Sequence, residues 1–198
     1  MTHYFNVDRG IQAAGVLLRS EDGKMESLRL LILLYIADRE SLQETGRPIT
    51  SSTAVAMEHG PLSSEVFDLI KGLVTSEARW AEHIRAHGHS LQLISDPGRG
   101  KLSKYEIEKL NDVSQRHEHQ NTWELVRLVQ QFAEWLKNAP VQGQTRPIPT
   151  GDIIDAVGRS ADKTEILADL KDKAAYDRFF EGARSESRGH VLVEGSIG

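Results

Sequence analysis

The most apolar stretch of the chain, residues 28–37, carries one charged side chain, Arg29, and is followed by two breaks rich in glycine and proline. Because the stretch is apolar almost all round, it predicts a helix at the centre of a hydrophobic core rather than one on its surface. It has about half of the ~20 apolar residues that a bilayer requires, so no membrane span is expected. We therefore expect a domain built around one central helix, over residues 27–45.

The first break is the sequence GRPIT at residues 46–50. Gly46 can adopt a positive φ just past a helix end, and Pro48 pushes Arg47 into an extended conformation. The chain is therefore expected to turn at Gly46 and to leave the helix as a short strand, which we place within residues 49–57.

The second break is the sequence HGPL at residues 59–62. Gly60 permits a sharp bend, and Pro61 suits the first turn of a helix, where its missing N–H costs no hydrogen bond. Apolar residues at helical spacing predict that helix over residues 62–73. Gly60 and Pro61 are thus expected to form a strand-to-helix turn, which needs no ligand.

Length and composition limit the class of protein. With 198 residues, 39% of them hydrophobic, the chain is long enough for one well-buried core. Its formal net charge of -5 gives no basic footprint, so nucleic acid is not an expected partner. The lack of cysteine excludes disulfides, thiolate metal sites and a cysteine nucleophile, and it fits a reducing compartment. Since the first residues lack the pattern of a signal peptide, a cytoplasmic protein is expected.

A small antiparallel sheet is predicted from three segments of the chain. Residues 80–85 and 90–94 have the pattern of a hairpin with its bend at Gly88, and the short strand near Ile49 would complete the sheet. Helical spacing and capping residues, including a capping box at Ser103, predict further helices. These cover residues 8–19, 103–117, 122–137, 150–157 and 164–180. The predicted fold class is α+β, a predominantly helical single domain with a small antiparallel β-sheet.

Four short motifs accompany GRPIT in a fixed order. The central helix ends in LYIADR at residues 34–39, and GPL follows at residues 60–62. LSKYE at residues 102–106 opens a helix, and QQFAEW at residues 130–135 ends one. In order and motif these residues resemble the SocA-like Panacea antitoxin domain family, which includes phage-associated, GepA-like members. The resemblance covers roughly residues 8–137.

The resemblance implies a small antitoxin that binds a toxin protein encoded by an adjacent gene and blocks it by direct contact. It implies no catalysis and no cofactor, so the chain is not expected to be an enzyme. Because members of the family accompany unrelated toxins, the fold does not identify the toxin. Gln130 stands where the family has a histidine, so no role of that histidine carries over. Homo-oligomerisation is left open.

The chain is expected to divide into four parts. Residues 5–139 would form the Panacea-like antitoxin domain, and residues 140–149, rich in proline and glutamine, would form a linker. Residues 150–182 would be a C-terminal helical extension that packs on the domain. Residues 183–198 would be a flexible tail, within which residues 191–193 could pair as an edge strand.

Candidate partner-binding residues are expected where exposed side chains sit beside rigid turns or strand edges. Trp80 is expected on an edge strand, whereas Trp123 and Trp135 are expected to be half-buried packing residues. The four candidates for contact with the toxin are Arg47, His59, Trp80 and Arg99. A scaffold role is assigned to Gly46, Pro48, Gly60, Pro61 and Trp135.

Two other functions stay open as alternatives. A DNA-binding transcriptional regulator would use the helix over residues 62–73 in a winged-helix-like arrangement, although that helix offers only Lys71 against two acidic residues. A metal-dependent enzyme would use the histidines, and two of them would share one face of a strand. Their positions at turns and helix ends are typical of exposed histidines, so no metal ligand is assigned. The histidines concerned are His83, His87, His89, His117 and His119.

Overall fold

The structure is a computed structural model that describes residues 4–74, 77–141 and 143–191, with the side chains of these residues except 77 and 181–191. The helices are α1 (Val7–Ser20), α2 (Ser27–Thr45), α3 (Ser64–Lys71), α4 (Glu77–Ala81), α5 (Lys104–Arg116), α6 (Thr122–Val129), α7 (Ala133–Lys137), α8 (Thr150–Ala156) and α9 (Lys163–Val191). The strands are β1 (Lys24–Glu26), β2 (Ala54–Met57), β3 (Gly60–Ser63), β4 (Ile84–His87), β5 (Ser90–Leu93) and β6 (Arg146–Ile148). The predicted class, a helix-dominated α+β domain, is confirmed.

The central helix, α2, has the predicted bounds, and its residues 29–37 are all buried. It ends at Gly46, whose φ of 76° lies in the left-handed region and whose N–H donates to the Leu42 carbonyl (2.9 Å). Glycine adopts this conformation without a steric penalty, as the sequence predicted.

Helix α1 packs on α2 and α5, and its apolar face completes one side of the main core. It begins after Asn6, whose side chain caps it by accepting from the Arg9 N–H (2.9 Å). The Arg9 guanidinium donates to the Ile49 carbonyl and pairs with the Glu106 carboxylate. One side chain of α1 therefore links the GRPIT segment to the start of α5.

Within the described residues, the chain forms two three-stranded antiparallel sheets where the sequence predicted one. The first sheet has the order β1-β5-β4, and the second has the order β3-β2-β6. The predicted hairpin is the β4–β5 pair. The prediction of a single sheet is wrong because each sheet contains one strand that the sequence did not indicate, β1 in the first and β6 in the second. These two strands have three residues each, too few to show an alternating pattern.

The second break is itself a hairpin of β2 and β3. Met57 pairs with Gly60, so the turn consists of Glu58 and His59, and the positive φ of Gly60 (116°) follows directly after it. Pro61 lies in β3, so the predicted strand-to-helix turn is wrong. Because β3 is an edge strand, the missing proline N–H leaves no ladder hydrogen bond unmade.

Trp80 lies in α4 and not on an edge strand, so that prediction is wrong as well. The His83 N–H donates to the Trp80 carbonyl (3.0 Å), which continues the helical turn before β4 begins at Ile84. Trp80 and Ile84 are both buried in the main core. A helix of five residues has too little pattern to be told from a strand.

The helix predicted over residues 122–137 is interrupted. α6 ends at Val129 and α7 begins at Ala133, with Phe132 in extended conformation between them (φ -67°, ψ 132°). The Phe132 ring packs 6.4 Å from the Tyr35 ring. The break therefore turns an aromatic side chain back towards α2, a contact that no local pattern predicts.

The C-terminal part departs from the predicted linker and tail. β6 lies inside residues 140–149 and pairs with β2, so part of the predicted linker is a strand of the second sheet. Helices α8 and α9 form a second apolar cluster with α2, which contains Tyr35, Leu42, Ile154 and Ile166. α9 continues to Val191, so residues 183–191 are helical. The rest of the predicted tail, and residues 192 and 193 of the predicted edge strand, lie outside the described residues.

Candidate partner-binding surface

A buried carboxylate joins the LYIADR motif of α2 to the QQFAEW motif that contains the start of α7. Glu134 is 1% exposed, and its Oε1 accepts hydrogen bonds from the Tyr35 hydroxyl (2.9 Å) and the Arg39 Nε (2.7 Å). Arg39 also lies over the Phe132 ring, 4.3 Å from its centroid. Burial, followed by the negative charge of Glu134, raises the pKa of the Tyr35 hydroxyl well above its ordinary value. Tyr35 is thus a neutral hydrogen-bond donor. The ion pair between Arg39 and Glu134 fixes α7 against α2.

A second buried carboxylate fixes the GRPIT segment. Asp38 accepts hydrogen bonds from the Thr50 N–H (2.8 Å) and from the Thr50 hydroxyl. Burial raises the pKa of the Asp38 carboxyl to about 6, although the hydrogen bonds from Thr50 act in the opposite direction. The LYIADR and GRPIT motifs are therefore joined by direct contact between Asp38 and Thr50.

The β2–β3 hairpin is held against α6 and α7 by three contacts. The Trp135 Nε1 donates to the Met57 carbonyl (3.1 Å), and the Gln130 Nε2 donates to the Glu58 carbonyl (2.8 Å). Gly60 has a φ of 116°, and a Cβ at this position would lie 2.6 Å from the Val129 Cγ2. The hairpin backbone thus approaches α6 more closely than any side chain at residue 60 would allow.

The base of the same hairpin is held by the Glu65 carboxylate at the start of α3. Its oxygens accept from the Thr53 N–H (2.7 Å), the Thr53 hydroxyl (2.8 Å) and the Ser52 hydroxyl (2.5 Å). The Ser63 hydroxyl in turn donates to the Ser52 hydroxyl (2.6 Å). Both ends of the hairpin are therefore fixed by hydrogen bonds, which leaves its tip as a rigid feature of the surface.

The tip of the hairpin meets an exposed aromatic side chain of α6. The rings of His59 and Trp123 are 5.2 Å apart at an interplanar angle of 87°, an edge-to-face arrangement. Trp123 is 57% exposed, which makes the expectation of a half-buried packing residue wrong. Arg127 lies one helical turn further along α6 and is also exposed. We call the surface of His59, Trp123 and Arg127 the aromatic platform.

Comparison with known protein families identifies the domain. A family model described as "Antitoxin SocA-like, Panacea domain" matches residues 30–136, more than half of the chain. The chain belongs to this family. No curated protein and no solved structure matches it.

The Panacea match begins in α2 and ends in α7, so it contains both buried carboxylates and the whole β2–β3 hairpin. The side chains that carried the family resemblance in the sequence are therefore the ones that hold the scaffold together. Antitoxin-like Panacea domains are not a known enzyme family.

The four predicted contact residues of this Panacea protein lie in different places. Arg47 pairs with Asp169 of α9 (3.7 Å), and both side chains are more than half exposed. His59 lies at the hairpin tip on the aromatic platform. Trp80 is 3% exposed, so its ring offers little surface to a partner. Arg99 is exposed in the loop before α5, where its carbonyl accepts from the Leu102 N–H (3.0 Å).

The exposure of Trp123 was not predicted, although the sequence contains a signal for it. The buried positions of α6 include Leu125, Val126 and Val129, and Trp123 falls outside the stripe that they form. Trp123 and Arg127 have the i, i+4 spacing of one helix face, and this face is the exposed one. Assigning the residues of α6 to its buried and exposed faces places Trp123 on the surface.

The histidines do not assemble a metal centre in the described part of the chain. There, no group of three or more histidine, aspartate or glutamate side chains could hold a metal ion. His83 Nδ1 lies 2.7 Å from the Ser95 hydroxyl, and His119 pairs with its neighbour Glu118. His87 and His89 are exposed at the β4–β5 turn.

A polar cleft of about 690 Å³ lies between β1, α5 and the start of α6. The Arg29 guanidinium in its wall donates to the Glu21 carboxylate (2.5 Å) and to the carbonyls of Gln120 (2.6 Å) and His117 (3.0 Å). Arg29 therefore links α2 to the end of α1 and to the turn between α5 and α6. Of the helices in the described ranges, none combines the length and the apolar character needed to cross a membrane.

Proposed function

We propose that this chain is the antitoxin of a bacterial or phage toxin–antitoxin system and that it neutralises a cognate toxin protein by direct binding. The observation that carries the proposal is the family match over residues 30–136. In this proposal the toxin is the product of an adjacent gene and the complex forms in the cytoplasm. Inhibition by contact requires neither a cofactor nor a catalytic residue.

The geometry supports a binding role. A protein inhibitor needs a surface whose side chains are held in place before the partner arrives, because ordering them on binding reduces affinity. The aromatic platform has this property, since the hairpin that carries His59 is fixed at its base by Glu65 and near its tip by Gln130. We also propose that residues 5–139 form the antitoxin domain and that residues 150–182 extend it.

Co-expression with the neighbouring gene tests the proposed function. The neighbour is induced in a bacterial host alone, with this chain, and with a Leu34→Asp variant whose new charge falls in the core, because Leu34 is 0% exposed. We expect growth arrest with the neighbour alone, rescue by the wild-type chain and no rescue by the variant. Purification of the complex and measurement of its mass then give the stoichiometry.

Two results would refute the antitoxin assignment for this gene pair. One is a neighbour that does not slow growth when it is expressed alone. The other is a neighbour that remains toxic although the wild-type chain accumulates in folded form. Rescue without a complex that survives purification would refute direct binding as the mechanism.

A DNA-binding regulator remains the second candidate, and one observation favours it. Helices α3 and α4 lead into the β4–β5 hairpin, and β5 pairs with β1, so a β-hairpin follows the helix that this candidate function assigns to DNA. The charge of α3 argues against it, because Lys71 stands with Glu65 and Asp68 on this helix. Titration of the promoter duplex of its own gene tests this candidate. Absence of salt-dependent binding would exclude it.

A further inference from the structure

The three tryptophans have different surroundings, and only Trp123 is available to a partner. Trp80 is 3% exposed in the core, and the indole N–H of Trp135 is used by the Met57 carbonyl. Trp123 is 57% exposed, and no acceptor among the described residues takes its indole N–H. Tryptophan contributes both apolar area and one hydrogen-bond donor at protein interfaces, and it is enriched among the residues that dominate their affinity.

Trp123 is also held on a firm support. α6 begins with a capping box in which the Asn121 side chain accepts from the Glu124 N–H (3.0 Å) and the Glu124 carboxylate accepts from the Asn121 N–H (2.7 Å). On the other side, the ring of His59 meets the indole edge-to-face. The position of the indole is therefore set before any partner binds.

Two charged side chains, one on α6 and one at the hairpin tip, have no partner within the described part of the chain. The Arg127 guanidinium makes no ion pair or hydrogen bond to any described residue, and neither does the Glu58 carboxylate at the hairpin tip. Arg127 is an arginine one turn from an exposed tryptophan, and these two residue types are typical of interface hot spots. An unpaired guanidinium selects a carboxylate on the partner, because the two groups form paired hydrogen bonds.

We propose that the aromatic platform is the docking site for the toxin, and that the toxin contacts it with an apolar side chain flanked by a carboxylate. The apolar side chain covers Trp123 and the carboxylate pairs with Arg127. This inference rests on the antitoxin function proposed above and assigns it to a surface.

A second copy of the chain is a poorer occupant for this surface. Homodimer interfaces are more apolar than interfaces between proteins that also exist separately. The platform presents one large apolar ring among polar and charged side chains. Exposed aromatic side chains suited to self-association occur elsewhere, on α9, where Tyr176 is 62% and Phe179 is 72% exposed.

Binding measurements with matched variants test the assignment. The purified protein encoded by the adjacent gene is titrated with the wild-type chain and with Trp123→Ala, Arg127→Glu and Tyr176→Ala. Tyr176→Ala removes an aromatic ring of similar exposure from α9. We expect Trp123→Ala to weaken binding by about 30-fold or more, as loss of a hot spot does, and Arg127→Glu to weaken it by about tenfold or more. Tyr176→Ala should stay within about twofold of the wild type.

The possible results separate this inference from the function on which it rests. If the wild-type chain binds and Trp123→Ala binds equally well, the docking site is wrong and the antitoxin function stands. If Tyr176→Ala is the weaker binder, the toxin docks on α9 instead and the inference is wrong. If the wild-type chain does not bind, the proposed function fails and the docking site with it. Thermal melts monitored by circular dichroism should be unchanged in all three variants, since each removed side chain is exposed.

Discussion

A methyl group added at Gly60 tests how the β2–β3 hairpin is held. Gly60→Ala introduces two independent costs. Its φ of 116° is a conformation that residues with a Cβ rarely adopt, and the new Cβ would lie 2.6 Å from the Val129 Cγ2. Val129 is 0% exposed, so it has no free space into which it can move.

The expected loss of stability is the sum of these two costs. A residue with a Cβ in an unfavourable backbone region costs about 1–3 kcal/mol, and an extra methyl group in a packed core costs a further ~1–3 kcal/mol. We expect Gly60→Ala to lower the free energy of unfolding by about 4 kcal/mol, a large fraction of the total for a domain of this kind.

Gly88 provides the matched control. It has a φ of 61° at the β4–β5 turn, and a Cβ there would meet nothing within 4 Å. Gly88→Ala therefore has the backbone cost alone, about 1–2 kcal/mol. Both variants are measured by urea denaturation, with the midpoint and the slope of the transition fitted separately.

A double variant isolates the steric part of the cost. Val129→Ala alone lowers stability because it opens a cavity, but it also makes room for a Cβ at residue 60. The loss in the Gly60→Ala, Val129→Ala double variant should fall short of the sum of the two single losses by at least about 1 kcal/mol. The reasoning is refuted if Gly60→Ala costs no more than Gly88→Ala, or if the two single losses add without coupling.

Three further predictions concern buried carboxylates and a helix cap. Burial raises the folded-state pKa of Asp38 from 3.8 to about 6, so folding favours the protonated form, and the free energy of unfolding falls by up to about 3 kcal/mol as the pH rises from about 4 to 7. Asp38→Asn should abolish this contribution, seen as a pH-dependent difference between variant and wild type in urea melts; a constant difference would contradict it. Glu134→Ala should cost about 3 kcal/mol because it leaves Arg39 and the Tyr35 hydroxyl without their acceptor, whereas Glu134→Gln, which retains an acceptor, should cost less. Equal losses would show that the carboxylate does not organise this cluster. Ser103→Ala removes the cap of α5 and should cost about 1 kcal/mol by the same assay, and no change would mean that the capping box is dispensable.

The parts of the fold that local chemistry determines could be predicted from the sequence. α2 has its predicted bounds, because a continuous apolar stretch and a glycine at its end define a helix without reference to the rest of the chain. The Ser103 capping box is present for the same reason. β1 and β6 were not predicted, since each has three residues and exists only through pairing with a distant strand.

The candidate surface was predictable only in part. His59 was chosen because it stands beside a glycine–proline turn, which is a local signal. Its contact with Trp123 joins segments that are far apart in the chain, and it depends on the break between α6 and α7 and on the close approach of Gly60 to Val129. The burial of Trp80 and the exposure of Trp123 were both predicted wrongly, because the two residues were judged by residue type and not by the helix face on which they lie.

The strand order of the second sheet limits which segments of the chain recombination could replace between related proteins. β2 lies in the middle of that sheet, yet its partner β6 comes from residues 146–148, beyond the segment that matches the family. Helix α1, whose Arg9 ties the GRPIT segment to α5, lies ahead of that segment. Recombination that replaced residues 30–136 alone would join a new hairpin to an old strand and an old first helix. Under the proposed antitoxin function, a change of toxin is therefore expected to require either a few surface substitutions around Trp123 or the transfer of a segment that includes both flanks.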